Sequence, residues 1–179
     1  TIKATNIEPI ADNGTVTLGS SGDTFSFASG VTGTNYPAFE AQLSANQSAT
    51  DNVYTKVQFD NEIFDTDNCY DATTNFRFLP TVAGKYFVFA SVCGDPQSSS
   101  QLEEVRTRIY KNGSSIRSTV VNFSDNDARL INCDIQAIVS MNGSSDYLEI
   151  FGRVNDTSGN GLIHSSQNET YFGAYRIGT

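Results

Sequence analysis

Apolar and polar residues alternate along most of the chain in short runs that are rich in valine, isoleucine, phenylalanine and tyrosine. Clusters of glycine, asparagine, aspartate and serine separate these runs, as is usual between antiparallel strands. Helical periodicity is weak, and the sequence predicts at most one helical turn, at residues 101–105. The predicted strands are residues 55–59, 76–79, 85–92, 105–110, 118–123, 134–141, 147–154 and 171–177. We therefore expect an all-β protein, an antiparallel sandwich or barrel.

Two Asn-Gly dipeptides mark predicted turns. Asn112-Gly113 and Asn142-Gly143 are residue pairs that adopt positive φ at little cost in two-residue hairpins. Each dipeptide is therefore expected to connect two strands through a tight turn.

Two of the predicted strands, 85–92 and 171–177, are apolar on both faces. The strand at 147–154 instead has one apolar and one mixed face, the pattern of a sheet with one side in water. Because a single sandwich covers only one face of each sheet, the second apolar face requires another layer, most economically an identical subunit. A fully internal strand of a monomeric barrel is the alternative. The residues predicted to lie between subunits are Tyr86, Phe87, Phe89, Tyr171, Phe172 and Tyr175.

Residues 1–35 differ in kind from the rest of the chain. Their apolar residues are sparse and interrupted by glycines, so this segment cannot build its own core. Two short alternating pairs separated by residues 19–22 resemble successive rungs of an intertwined multi-chain β-stalk, and a disordered arm is the alternative. We predict that residues 1–35 anchor and trimerise a folded domain at residues 36–179. The predicted attachment residues are Ile2, Ile7, Ile10, Val16, Leu18, Phe25 and Phe27.

Charge and cysteine content restrict the partners and the compartment. The chain has 179 residues, with 11 Lys+Arg against 20 Asp+Glu and a net charge of −9, which argues against binding to nucleic acid. No apolar stretch approaches the roughly 20 residues of a membrane span, and no secretory signal is evident. Three widely spaced cysteines fit free thiols formed in a reducing cytoplasm, with one disulfide left as the alternative.

Candidate catalytic and metal-binding residues are few. His164 is the only histidine, and its sequence context predicts a surface loop without a nucleophile elbow, so we expect no enzymatic activity. A zinc site would require His164 to converge with the scattered cysteines, and no Cys-x-x-Cys spacing supports one. The acidic segment 60–67 and the pair Asp125 and Asp127 are incomplete as calcium loops, and a solvated loop is the expectation for 60–67. No cofactor is predicted, with calcium left open.

Seven short segments between about Tyr36 and Gly178 form an ordered set of motifs. They are AFEA (38–41), VQF (57–59), CYDATTNF (69–76), PTVAGKYFVF (80–89), YKNG (110–113), DYLEI (146–150) and YFGAY (171–175). This set is similar to the complement C1q/TNF-like jelly-roll family, although Asn75 and Ser145 stand where that family has glycine. The resemblance implies an antiparallel jelly-roll sandwich that forms a homotrimer, and trimers of this family sometimes carry calcium near the axis.

A C1q-like head behind a glycine- and serine-broken segment, without a secretion signal, resembles the small virion surface proteins of tailed bacteriophages. This resemblance implies a non-enzymatic structural protein, made in the host cytoplasm and displayed on the virion, with phage capsid or tail proteins as partners. The short chain favours a capsid decoration protein (cement or head fibre), and a tail-fibre or receptor-binding tip that adheres to host surface glycan is the alternative. A secreted C1q-like binding module and a carbohydrate-active enzyme are disfavoured.

Overall fold

The computed structural model describes residues 36–97, 101–123, 128–159, 161–165 and 168–178. This part of the chain folds as β-strands and turns, and it contains no α-helix. The strands are β1 (Ala38–Gln42), β2 (Gln47–Ser48), β3 (Thr55–Lys56), β4 (Asn61–Asp65), β5 (Tyr70–Asp71), β6 (Arg77–Phe78), β7 (Gly84–Asp95), β8 (Leu102–Lys111), β9 (Ser114–Asn122), β10 (Ile131–Met141), β11 (Leu148–Asp156), β12 (Leu162–Ile163) and β13 (Tyr171–Gly178). Within the same residues, no helix has the length and apolar character needed to cross a bilayer.

The strands form two antiparallel sheets that pack face to face. Sheet I has the order β2-β12-β7-β13-β1-β4, and β10 pairs with β7. Sheet II has the order β5-β6-β11-β8-β9, and β3 pairs with β11. Because β10 belongs to sheet I and β11 to sheet II, the chain crosses from one sheet to the other between these two strands.

The core lies between the inner faces of the two sheets. Residues of β10 alternate strictly between buried and exposed, which is the pattern of a strand with one face in the core. Phe39 packs against Phe78 and Phe172, with ring centroids 4.5 Å and 4.8 Å apart. The buried Thr107 hydroxyl of sheet II donates a hydrogen bond to the Cys133 carbonyl of sheet I (2.7 Å). These contacts satisfy both the apolar and the polar requirements of a sandwich core.

Each of the eight predicted runs overlaps an observed strand, but three local features differ from expectation. Residues 101–105, for which the sequence allows at most one helical turn, have no helical turn and belong largely to β8, because Leu102 and Val105 are buried in the core and β8 pairs with β9 and β11. The acidic segment 60–67 is not wholly loop, since it contains β4, which pairs with β1. The third expectation concerns the second Asn-Gly turn.

The two Asn-Gly dipeptides differ in structure. Asn112 and Gly113 have φ values of 53° and 78°, and they connect β8 to β9 as the predicted two-residue hairpin. Asn142 and Gly143 instead open the longer crossing at residues 142–147, where the Asn142 side chain accepts hydrogen bonds from the N–H groups of residues 144–146. A connection between two sheets needs more chain than a two-residue turn supplies.

Candidate functional site

One outer surface of the sandwich carries a contiguous group of apolar side chains. It is the face of sheet I turned away from the core, and we call it the aromatic face. Register places Phe87 of β7 opposite Tyr175 of β13 and opposite Ile138 of β10. Phe89 lies two residues further along β7, opposite Gly173. The two-residue alternation of three neighbouring strands thus builds one surface. Its members are Phe87, Phe89, Ile138, Tyr171, Tyr175 and Ile177.

The rings of the aromatic face contact one another. Ring centroids are 5.4 Å apart for Phe87 and Tyr175, 6.2 Å for Phe87 and Phe89, and 6.2 Å for Phe89 and Tyr171. The Phe89 ring lies over Gly173, where an added Cβ would overlap the ring carbons. These distances are those of interacting aromatic pairs, so the surface is organised before any partner binds.

The outer faces of the two sheets differ in chemistry. On sheet I, Ile138 is 61% exposed and Tyr175 is 46% exposed. On sheet II, single exposed apolar side chains such as Val120 (45%) stand beside ion pairs, in which Arg106 and Arg153 both contact the carboxylate of Glu104. Contiguous exposed apolar surface is typical of an interaction site, whereas scattered ion pairs are typical of a solvated face. The aromatic face is therefore the candidate functional site.

The six residues predicted to lie between subunits divide between the two faces of sheet I. Tyr86 and Phe172 are both 0% exposed and lie in the chain's own core. The Tyr86 ring packs 5.5 Å from Phe78, and its hydroxyl donates to the Val82 carbonyl (2.7 Å). The prediction that these two residues lie between subunits is wrong, and they are core residues. A strand that is apolar on both faces does not reveal from sequence which face is inside. Those on the outer face are Phe87, Phe89, Tyr171 and Tyr175.

Two other sets of predicted residues lie outside the described part of the chain. Asp125 and Asp127, one of the calcium alternatives, belong to residues 124–127. The predicted attachment residues all fall within residues 1–35, and they are Ile2, Ile7, Ile10, Val16, Leu18, Phe25 and Phe27. Their roles stay predictions.

Asp65, the last residue of β4, uses its carboxylate within the turn that follows the strand. Asp65 accepts hydrogen bonds from the N–H groups of Asp67 (3.1 Å) and Tyr70 (2.6 Å). These bonds fix the loop between β4 and β5, as Asx turns commonly do. The geometry thus gives Asp65 a role in the fold, and calcium binding here stays an untested alternative.

His164 lies beside a cysteine and two carboxylates, and its side chain is only 15% exposed. The backbone N–H of His164 donates to the Cys93 carbonyl (2.8 Å). The Thr170 hydroxyl donates to the His164 carbonyl (2.5 Å) and accepts a hydrogen bond from the backbone N–H of Cys93 (3.1 Å). Nδ1 of His164 is 3.6 Å from Glu169, and Nε2 is 3.8 Å from Asp95. His164 thus lies in a loop, as predicted, but its side chain is largely buried and not on the open surface. His164 does converge with a cysteine, which sequence spacing did not indicate.

The cysteines are free and buried, which confirms the predicted free thiols. They are Cys69, Cys93 and Cys133. Burial, followed by the neighbouring Glu169, raises the pKa of Cys93 to about 12. At neutral pH this side chain is a thiol in the free chain, so it is a poor nucleophile on its own.

A surface pocket of about 540 Å³ lies beside the turn between β5 and β6. Asp71, which lines it, accepts hydrogen bonds from the N–H groups of Thr74 (2.9 Å), Thr73 (3.0 Å) and Asn75 (3.0 Å), and these bonds lower the pKa of its carboxyl. The positive φ of this turn, 48°, falls on Phe76 rather than on the preceding asparagine. The carboxylate thus organises the turn that forms the pocket wall.

No family model matches the chain, and no curated protein matches it. Similar solved structures include murine APRIL, with 12% identity and a TM-score of 0.57 over 80% of this chain and 100% of that chain. The globular domain of zebrafish complement 1qA protein has 14% identity and a TM-score of 0.55 over 79% of this chain and 97% of that chain.

Eiger TNF from S. frugiperda has 8% identity and a TM-score of 0.52 over 79% of this chain and 91% of that chain. At such identities the likeness concerns the fold, and it confirms the predicted all-β class: the described residues form an antiparallel sandwich that matches the TNF/C1q-like jelly roll.

Proposed function

We propose that the chain is a non-enzymatic, homotrimeric structural protein on the surface of a bacteriophage virion. In this proposal residues 1–35 attach the protein to the capsid, and the jelly-roll head is displayed outward as a decoration. The single observation that carries the proposal is the aromatic face, because it gives the head a surface suited to copies of itself.

The contrast between the two sheets supports the trimeric part of the proposal. A three-fold axis beside sheet I would bury the aromatic face of each subunit, while sheet II would keep its ion pairs in water. Interfaces of this kind are enriched in phenylalanine and tyrosine and depleted in charge at their centre. The C1q/TNF-like resemblance implies the same homotrimer.

The virion part of the proposal rests on the sequence and on the thiols. Buried, free cysteines are compatible with synthesis in a reducing cytoplasm. The sequence predicts no separate core for residues 1–35, as expected of an element that acquires structure on attachment. A net charge of −9 agrees with a protein that does not bind the packaged nucleic acid.

A charge on the aromatic face tests the trimer. Tyr175→Asp and Phe87→Asp are expected to convert a trimer into a folded monomer, because three unpaired carboxylates would be brought together in an apolar interface. Light scattering at micromolar concentration measures the mass, and circular dichroism checks the fold.

Val120→Asp is the matched control for Tyr175→Asp, since Val120 on sheet II is 45% exposed and Tyr175 is 46% exposed. We expect Val120→Asp to stay trimeric. A folded monomeric wild type at the same concentration, or equal effects of the two substitutions, contradicts the proposed interface.

The virion role is tested with purified particles and host cells. For a decoration protein, particles that lack it are expected to lose resistance to heat or low salt, and the added purified trimer is expected to restore that resistance. The purified trimer should also leave phage adsorption unchanged. Absence of the protein from purified particles contradicts the proposal, whereas competition for adsorption identifies the alternative, a glycan-binding tail tip.

A further inference from the structure

We propose that Cys93, His164 and Glu169 form a binding site for one zinc ion within each chain. The ligand atoms would be the Cys93 sulfur, Nδ1 of His164 and a carboxylate oxygen of Glu169. This site is independent of the proposed virion role, because all three ligands come from one head and none of them is a member of the aromatic face. Cys93 follows Phe87 and Phe89 on the same side of β7, but it is 0% exposed.

The three ligand atoms already lie within 4.8 Å of one another. Around a tetrahedral zinc ion, ligand atoms are separated by about 3.3–3.6 Å, given zinc-ligand bonds of about 2.0–2.3 Å. The 3.6 Å between Nδ1 of His164 and Glu169 already matches that spacing. The Glu169 side chain is 31% exposed. Rotation about its bonds can therefore bring its carboxylate oxygen to the required distance from the other two ligand atoms without moving the sheet.

The histidine presents the correct nitrogen. Nδ1 of His164 is buried and has no hydrogen-bond partner among the described residues. Asp95 lies on the opposite side of the ring, 3.8 Å from Nε2, where its negative charge favours the tautomer with the proton on Nε2. The lone pair is thereby left on Nδ1, which faces Glu169. A carboxylate behind a metal-binding imidazole is a common arrangement in zinc sites.

The backbone holds the first two ligands in place. Cys93 lies near the end of β7, and the His164 N–H bonds to its carbonyl (2.8 Å). The Thr170 hydroxyl links the same two residues from the other side, and Thr170 is only 1% exposed. Cys93 and His164 are therefore preorganised by a strand and by the residues that precede β13, rather than by a free loop.

The donor set selects a borderline-soft divalent cation. A thiolate with an imidazole and one carboxylate suits zinc, whereas calcium takes oxygen ligands only. Three protein ligands leave the fourth position for water. Bound zinc would link the segment between β12 and β13 to β7. It would thus supply a cross-link that stabilises the fold in a chain whose cysteines form no disulfide.

Metal titration of the purified full chain tests the site. The chain is first freed of metal with a chelator. On addition of zinc, we expect native mass spectrometry to show one zinc ion per chain and the unfolding temperature to rise. Calcium at the same concentration should produce neither effect. Cobalt(II), used as a spectroscopic substitute, should show the thiolate-to-metal charge-transfer absorption of a cysteine ligand.

Single variants assign the ligands. Cys93→Ser, His164→Gln and Glu169→Gln should each weaken zinc affinity by at least about tenfold, and Cys93→Ser should also remove the cobalt-thiolate band. Cys69→Ser, which removes another buried thiol, is the matched control and should keep both. His164→Gln and Glu169→Gln decide the matter if Cys93→Ser fails to fold. The proposal is overturned by a wild type that binds no zinc, or by unchanged zinc affinity in His164→Gln and Glu169→Gln.

Discussion

Gly173 shows how a single missing side chain shapes the aromatic face. It stands opposite Phe89 in the pairing of β13 with β7, and the Phe89 ring fills the space above it. Its backbone does not have a positive φ, so glycine is required here by the close approach of the ring and not by conformation. The flatness of the face at this position therefore depends on the absence of a Cβ.

Gly173→Ala is expected to destabilise the head by about 1–3 kcal/mol, because the new methyl group overlaps the Phe89 ring and forces it outward. Adding Phe89→Ala should recover part of this loss, since the overlap disappears with the ring. A double-mutant cycle of unfolding free energies measures the coupling. Additive effects of the two substitutions would show that the ring and the glycine are not coupled.

At the scale of elements, Glu104 joins three neighbouring strands of sheet II. It lies on β8, where its Oε1 accepts hydrogen bonds from Arg106 on the same strand and from Arg153 on β11. Its Oε2 accepts a hydrogen bond from Asn122 on β9 (3.0 Å). The side chain is 6% exposed, so the carboxylate depends on these partners for its charge. Arg106 first, and then Asn122 and Arg153, hold the pKa of Glu104 at about 2.

The Glu104 network predicts a stability that depends on pH. Because the folded-state pKa of Glu104 lies below the unfolded value near 4.5, its contribution is present above pH 4.5 and is lost as the pH falls toward 2. Glu104→Gln is expected to cost about 2 kcal/mol of unfolding free energy at neutral pH. Denaturant titrations should show this difference shrinking as the pH is lowered to about 2.

Glu103→Gln is the control. It also removes one carboxylate, but the carboxylate of Glu103 accepts a hydrogen bond from the neutral Asn155 side chain (2.6 Å). It should have a smaller effect on the unfolding free energy at neutral pH than Glu104→Gln does. A Glu104→Gln deficit that is constant from neutral pH to about pH 2 would contradict the assigned role of the ion pairs.

The strands of this fold could be predicted from the sequence where side chains alternate over several residues. β10 and β11 have one buried face each, and their period of two is visible in the sequence. β4 could not be predicted, because its five residues are mostly exposed and polar, and only its pairing with β1 makes it a strand. The first residues of β8, Leu102 to Glu104, could not be predicted as strand, because their pairing with β9 and β11 decides their conformation.

The candidate sites could be predicted only in part for a related reason. Alternation showed that β7 and β13 have two apolar faces, but burial alone distinguishes Tyr86 in the core from Phe87 outside. The meeting of Cys93 with His164 depends on the pairing of β12 with the end of β7. No local spacing encodes that pairing, since the two residues are far apart in sequence.

At the scale of the whole molecule, the head has its own source of stability. Its buried cluster is drawn from both sheets and includes Phe39 near one end of the domain and Ala174 near the other. A sandwich core of this kind folds without help from a neighbouring segment. The sequence predicts that residues 1–35 both anchor and trimerise the protein. The aromatic face gives the head a trimerisation surface of its own, so only attachment is then expected to require residues 1–35.

Deleting residues 1–35 is therefore expected to leave a folded, trimeric head that no longer binds the virion. The fold should survive because the core lies in the described residues from Phe39 onward, and the trimer should survive because the aromatic face is retained. Circular dichroism and light scattering measure the first two properties, and co-sedimentation with particles that lack the protein measures the third.

The full chain is the positive control for co-sedimentation, and the full-length Tyr175→Asp variant separates loss of the trimer from loss of the anchor. A truncated head that still sediments with particles would assign attachment to the jelly roll, and a folded but monomeric head would assign trimerisation to the N-terminal segment.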